Sequence, residues 1–135
     1  MVVHHTPVLP FRVPFKPGTR SYDQVVYAVK KAIISGELKP GDSFPSVRLM
    51  SQELGINPNT AQKVIAALVG ERLLVVKPGI GTVLAESAPA SSAERKSLLG
   101  QDLERIVVEA QKMQLGRAEL LEAIEQHWDR LKAKK

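Results

Sequence analysis

From position 21 onward, Tyr22, Val25, Val26, Val29 and Ile33 recur at helical spacing and define one apolar face. Ser21 reads as the N-cap of this helix, Gln24 three residues later completes a capping box, and Gly36 ends it. Lys30 and Lys31 lie at the edge of the stripe or outside it. Pro40-Gly41 reads as a turn, and Asp42-Ser43-Phe44 as a short extended piece, because Pro45 disfavours helix in the residue before it. Ser46 caps a second helix that runs to about Leu54, with Leu49, Met50 and Leu54 inward. Gly55 supplies the left-handed conformation needed after it. A third helix opens at Asn57-Pro58, since asparagine is a preferred N-cap and proline is preferred at the first helical position. Ala61, Val64, Ile65 and Leu68 face inward from it, and Asn59, Gln62, Lys63 and Ala66 form the opposite face.

The pattern then changes period. Residues 73–76 and 82–84 read as strands joined by the turn Lys77-Pro78-Gly79-Ile80-Gly81, which makes a hairpin. Ser, Ala and Pro crowd positions 86–92, the composition of a linker. Two further helices follow, over 93–114 and 118–133. Leu99, Leu103, Ile106, Val107, Ala110 and Met113 mark one side of the first, which Gly100 weakens early on, and Gly116 separates the pair. Leu120, Leu121, Ile124, Trp128 and Leu131 mark the second. The expected fold is mainly α with a small β-hairpin: a winged helix-turn-helix followed by a two-helix dimerisation tail. The domains are an extended arm at 1–20, a DNA-binding domain at 21–86, a linker at 87–92 and the tail at 93–135. Prolines 7, 10, 14 and 17 punctuate the arm. Its residues 11–15 either form a short strand or lie on the core, and its first nine are expected to be disordered.

Composition narrows the chemistry. The 135 residues contain no cysteine, which removes disulfides and thiolate chemistry and fits a reducing cytoplasm. His4, His5 and His127 show no metal-ligand spacing, carboxylates are scattered, and no nucleophile–base pair stands out; neither an enzyme nor a cofactor is expected. Prolines break any signal-type helix at the start, and no apolar run is long enough for a bilayer, so no membrane partner is expected. Net charge is +5. Residues 1–89 hold ten Lys/Arg against six Asp/Glu, and residues 90–135 hold nine against eight. The excess lies mostly in the front two-thirds of the chain, which is compatible with polyanion binding.

The third helix, 58–69, carries the proposed chemistry. Gln62 suits bidentate pairing with an adenine edge, Lys63 reaches guanine acceptors or phosphate, and Ala66 can touch a thymine methyl. Asn59 and Thr60 occupy the first turn, where free N–H groups favour phosphate. A merely solvated face is the alternative, but no acidic residue occurs between Asn57 and Val69. Arg48 opens the second helix and is placed for a phosphate or base-edge contact, or else rests its stem on the core. Ser46 either bonds phosphate or only caps. The hairpin tip at 77–82, with Lys77, Gly79, Ile80 and Gly81, is either an ordinary turn or a wing whose glycines allow close approach to a groove. It lacks the elements of a nucleotide-binding loop.

At these residues the chain resembles the GntR family of bacterial regulators over about positions 21–86. The resemblance is carried by Ile34-Ser35-Gly36-Glu37-Leu38-Lys39-Pro40-Gly41-Asp42, Phe44-Pro45-Ser46-Val47-Arg48, Leu54-Gly55-Ile56-Asn57-Pro58-Asn59-Thr60 and Gly79-Ile80-Gly81-Thr82-Val83. The short tail is similar to the YtrA-type subgroup, in which two helices dimerise the protein. This implies a dimeric repressor without a dedicated effector domain. It also implies DNA contacts at Ser46, Arg48, Asn57, Asn59, Thr60, Gln62, Lys63, Gly79 and Gly81. Three positions depart from the family pattern. Leu49 stands where a polar residue would complete a capping box, Arg72 where glycine is usual, and Val69 where an acidic residue is usual, leaving Val69 free to extend a dimer surface.

The tail stripes exceed what a lone helical hairpin can bury, so a second copy is expected on Leu99, Leu103, Ile106, Val107, Ala110, Leu121, Ile124 and Trp128. Its alternative is a tail folded back on its own winged domain. The expected partners are a double-stranded DNA operator and a second copy of the chain; a small-molecule effector stays open. Two other functions compete: an architectural DNA binder without sequence choice, disfavoured by Asn59 and Gln62, and a winged helix that binds protein rather than DNA.

Overall fold

The computed structural model describes residues 9–86 and 90–133, which fall into two units, divided between Ser87 and Ala88. The expected disorder of the first residues falls mostly on 1–8, outside the described residues. Half of the expected linker, at 87–89, also lies outside them.

The first unit follows the order helix, bridge, helix, helix, hairpin. Helix α1 spans Ser21–Ile34, α2 Val47–Leu54 and α3 Pro58–Gly70; strands β1 (Leu74–Lys77) and β2 (Gly81–Leu84) pair antiparallel. Val25 and Val29 from α1, Met50 from α2, and Val64 and Leu68 from α3 are fully enclosed, and Leu38, Leu74 and Leu84 close the same core. Burying side chains of this size contributes roughly 1.5–3 kcal/mol each. Ser43 bridges Val83, and the Phe44 N–H donates to the Thr82 carbonyl at 2.8 Å, so the extended piece before Pro45 lies along β2.

Phe11 settles the question of the arm. Residues 11–15 form no strand; the Phe11 ring is buried and stacks on Phe44 at 5.7 Å between centroids, 9° from parallel. The start of α1 differs from expectation as well. Arg20, not Ser21, is the N-cap, and no side chain caps the helix. Gln24 turns outward instead. Its Oε1 accepts from the Lys16 N–H, and its Nε2 donates to the Lys16 and Thr19 carbonyls, each at 2.8 Å. A longer-range tie to the arm has displaced the local capping box.

Helix endings share one device. After α1, Gly36 adopts φ +83° and the Glu37 N–H returns to the Ala32 carbonyl at 2.9 Å. After α3 the same left-handed position is Arg72, at φ +63°, with Leu73 N–H returning to the Leu68 carbonyl at 2.9 Å. The departure from family glycine at this position is therefore a strained one, since a side chain there costs about 1–2 kcal/mol. Val69 is half-buried and packs against the core.

The second unit holds α4 (Ser92–Ser97), a π segment (Leu98–Asp102), α5 (Leu103–Lys112) and α6 (Arg117–Ala133). Helix α4 begins in a full capping box: Ser91 Oγ accepts from the Glu94 N–H and Glu94 Oε1 from the Ser91 N–H, both at 3.1 Å. The sequence reading placed Ser91 and Ser92 in the linker. The first tail helix is thus not uniform, because Gly100 sits inside a π turn. Its end also comes early. Gln114, rather than Gly116, takes the left-handed turn at φ +61°, with Leu115 N–H returning to the Ala110 carbonyl at 2.9 Å. Helices α5 and α6 do not pack along one another. Among the described residues, no helix is long and apolar enough to cross a membrane.

Candidate nucleic-acid interface

The helix-turn-helix element is set by its caps. The Leu49 N–H donates to Ser46 Oγ at 3.1 Å, and Gly55 ends α2 in the left-handed region at φ +66°. Leu49 leaves the cap one-sided, as its apolar side chain cannot return a hydrogen bond. Ser51 Oγ donates to the Ile56 carbonyl at 2.8 Å across the turn. Asn57 then caps α3, its Oδ1 accepting from the Asn59 N–H at 2.7 Å, with Pro58 in the first helical position. Two candidate residues, Ser46 and Asn57, are accounted for by these caps before any ligand is considered.

Helix α3 divides as its pattern requires. Ala61, Val64, Ile65 and Leu68 are buried, whereas Asn59, Gln62, Lys63 and Ala66 are exposed and Thr60 is half-exposed. No acidic residue enters its first turn. Arg48, in the first turn of α2, is exposed, as is Ser46. None of Arg48, Lys63 and Lys77 takes part in an ion pair among the described residues. Their charges are thus available to an external anion.

The hairpin tip is a type II turn by its geometry. The Ile80 N–H donates to the Lys77 carbonyl at 3.0 Å, Pro78 holds the second corner position, and Gly79 takes φ +78° in the third. A Cβ added at Gly79 or Gly81 meets nothing within 4 Å, so backbone conformation, not crowding, requires glycine there. Ile80 stands 72% exposed at the tip, with Lys77, Gly79 and Gly81 exposed around it.

The structure adds a neighbour that the sequence reading missed. Arg20, Ser21 and Tyr22, at the start of α1, line a groove against Thr60, Lys63, Ala66 and Ala67 of α3. Tyr22 fits the apolar stripe, which disguised its place at the rim. The Arg20 guanidinium lies 5.8 Å from the Tyr22 ring centroid and pairs with Asp23 at 3.0 Å. That hydrogen bond and the charge of Asp23 raise the Arg20 pKa further above its ordinary range. Lys30 bridges Glu71 at 2.8 Å, joining α1 to the far end of α3.

In the second unit, Leu99, Ile106, Val107, Leu121, Ile124 and Trp128 are exposed in the single chain, and Leu103 is half-exposed. Ala110 is already buried within the single chain, so it has little surface to offer a mate. The described residues contain no group of three or more His, Cys, Asp or Glu able to hold a metal ion.

Three helices with a capped turn and a two-stranded wing define the winged helix-turn-helix class of DNA-binding regulators. Residues 21–84 match the family described as "Bacterial regulatory proteins, gntR family". The chain is 30% identical over 96 residues to the HTH-type transcriptional repressor YtrA of Bacillus subtilis, spanning 70% of this chain and 74% of that protein. It is 30% identical over 110 residues to the HTH-type transcriptional regulator YhcF of Bacillus subtilis, spanning 82% and 91% respectively. A transcriptional antiterminator from Listeria monocytogenes EGD-e has the same fold, with TM-score 0.79 over 90% of this chain and 91% of that one, at 21% identity. The protein belongs to the GntR family and is a DNA-binding transcription regulator.

Proposed function

We propose that this regulator is a repressor that binds a palindromic operator as a homodimer. The carrying observation is the division of α3, with an aliphatic side in the core and an exposed side of amides and lysine free of carboxylates. Gln62 and Lys63 read base edges in the major groove. Asn59, Thr60, Ser46 and Arg48 hold phosphates, Asn57 sets the helix start, and the wing brings Lys77, Gly79, Ile80 and Gly81 to the adjoining groove. The repressor sign rests on the similarity to YtrA of Bacillus subtilis, which is named a repressor.

The tail provides the dimer. Leu99, Leu103, Ile106, Val107, Leu121, Ile124 and Trp128 offer an apolar surface that α5 and α6 do not cover for each other. Two copies then present two copies of α3 about 34 Å apart, one DNA turn. Residues 21–86 act as the DNA-binding domain and 93–135 as the dimerisation domain.

Selection of bound duplexes from a random pool, followed by a salt titration on the selected and scrambled sequences, tests this function. The expected product is a two-fold symmetric site bound far more tightly than its scramble. Equal affinity for both would refute sequence-specific repression. A version ending at Ala85 is expected to be monomeric and to bind half-sites weakly; a stable dimer from it would contradict the role of the tail.

A further inference from the structure

A second groove lies on the first unit, between the arm and α1. It has a volume of about 820 Å³, within the usual span of small-molecule sites, roughly 300–1,000 Å³. Val13, Pro14, Ala28 and Ala32 give it an apolar lining. Arg12 and Lys16 from the arm, and Lys31 and Tyr27 from α1, also line it. The three cationic side chains have no ion-pair or hydrogen-bond partner among the described residues, and Tyr27 is 64% exposed. Two carboxylates share the walls. Asp23 is engaged by Arg20 at 3.0 Å, and Glu37 accepts from Ser35 Oγ at 3.3 Å. The cations therefore outweigh the one carboxylate not neutralised by a cation.

We propose that this groove binds a small amphipathic anion, an aromatic or aliphatic body bearing a carboxylate or a phosphate. The body lies on the alanines, Val13 and the Tyr27 ring, and the head group meets Arg12, Lys16 and Lys31. Operator DNA is not the occupant. Tyr22 marks the flank of α1 that borders α3. Tyr27 is ~140° and Lys31 ~180° round the helix from Tyr22, so the groove opens on the other flank.

Gln24 makes the site a formed one. Its three hydrogen bonds to Lys16 and Thr19 fasten the arm that supplies one wall. A wall fixed in advance lowers the ordering cost of binding. Gln24 is a positioning residue here. The chain passes from Thr19 directly into Arg20 and Tyr22, which border α3, so an occupant that holds the arm also holds the rim of the DNA face.

The test uses the full chain and anilinonaphthalene sulfonate, a fluorescent aromatic anion, beside its uncharged counterpart phenylnaphthylamine. The double charge reversal Lys16→Glu with Lys31→Glu is expected to weaken the sulfonate probe by about tenfold or more, with the thermal unfolding of the first unit unchanged. Gln24→Ala is expected to weaken it by a smaller factor. Val108→Ser, at an exposed tail position not assigned to the proposed dimer face, controls for probe held on apolar surface there and is expected to leave the affinity as it was. Displacement by benzoate or by phenyl phosphate tells which head group is preferred. Equal binding of phenylnaphthylamine, equal binding to the charge-reversed protein, or loss only on Val108→Ser would each overturn the proposal. So would tighter binding of a polyglutamate peptide than of any small anion, which would assign the groove to an acidic protein segment.

Discussion

In the first unit Val25, Val29, Met50, Val64 and Leu68 are sealed from solvent, whereas in the second Leu99, Ile106, Leu121, Ile124 and Trp128 stand open to it. Both units hold side-chain-capped helices, α2 and α3 in the first and α4 in the second, so capping does not separate them. Long-range closure does. Phe11, Phe44 and Leu84 come from distant parts of the chain to close the core of the first unit. Among the described residues of the second, only Ala110 is buried. Isolated helices of ~12–15 residues are marginal in water. The first unit therefore carries its own stability, and the second is expected to draw stability from a mate.

The most severe way to break this contrast is to put charge on the open face. Leu121→Glu with Ile124→Glu is expected to cost the proposed dimer on the order of 5 kcal/mol or more, because unpaired carboxylates would be buried on assembly. Analytical ultracentrifugation should then read a monomer, while the first unit keeps its melting transition. A dimer that survives this change would end the contrast. In the first unit, Leu68→Ala should lose about 2–5 kcal/mol by leaving a cavity. Chemical denaturation should show that loss without weakening tail association at protein concentrations where both are folded.

Surface changes on the first unit should alter binding and spare stability. Gln62→Ala is expected to remove about 1–3 kcal/mol of discrimination at one base step. Arg48→Ala should instead weaken all sequences alike and reduce the salt slope by about one. Competition binding on single-base operator variants separates the two patterns, and uniform loss in both proteins would contradict the assignment. A smaller effect tests the two strained helix ends. Arg72→Gly should gain the first unit about 1 kcal/mol by relieving the left-handed side chain. Gln114→Gly should do the same for the tail, visible only as tighter association. Least of all, Lys30→Ala breaks a half-exposed ion pair with Glu71 and should change the melting free energy by no more than about 1 kcal/mol.

The legibility of the sequence followed the range of the interactions. Ser46, Asn57 and Pro58 signal helix starts through atoms two or three residues away, and both caps form where the pattern placed them. The inward set of α3 is likewise a matter of periodicity alone. Ser21 shows the limit: its capping box needed Gln24, and Gln24 found three better-placed partners on the arm. Nothing local announces that choice. The capping box of Ser91 and Glu94 was present in the spacing but lay within a stretch whose composition resembles a linker. Arg72 and Gln114 were obscure for another reason. Their left-handed turns are held by return hydrogen bonds that override residue preference, so glycine did not mark them. Of the candidate DNA residues, the exposed face was readable from α3, and the rim formed by Arg20 and Tyr22 was not, because it depends on how α1 crosses α3.

The wider turn at Leu98–Asp102 changes what the tail can show to another molecule. In an unbroken α-helix, Leu98 would stand ~140° around the axis from Leu103. With bonds running from each residue to the fifth ahead, that offset shrinks to ~50°. Leu98 is thereby rotated toward Leu99, Leu103 and Ile106, and the greasy strip broadens from a seam into a band. Excising Gly100 should let the backbone return to ordinary winding with Leu98 still ~40° from Leu103, since four residues at ~100° each close almost the same angle. The band would outlast the wide turn, whereas α winding with all residues kept would carry Leu98 out of it.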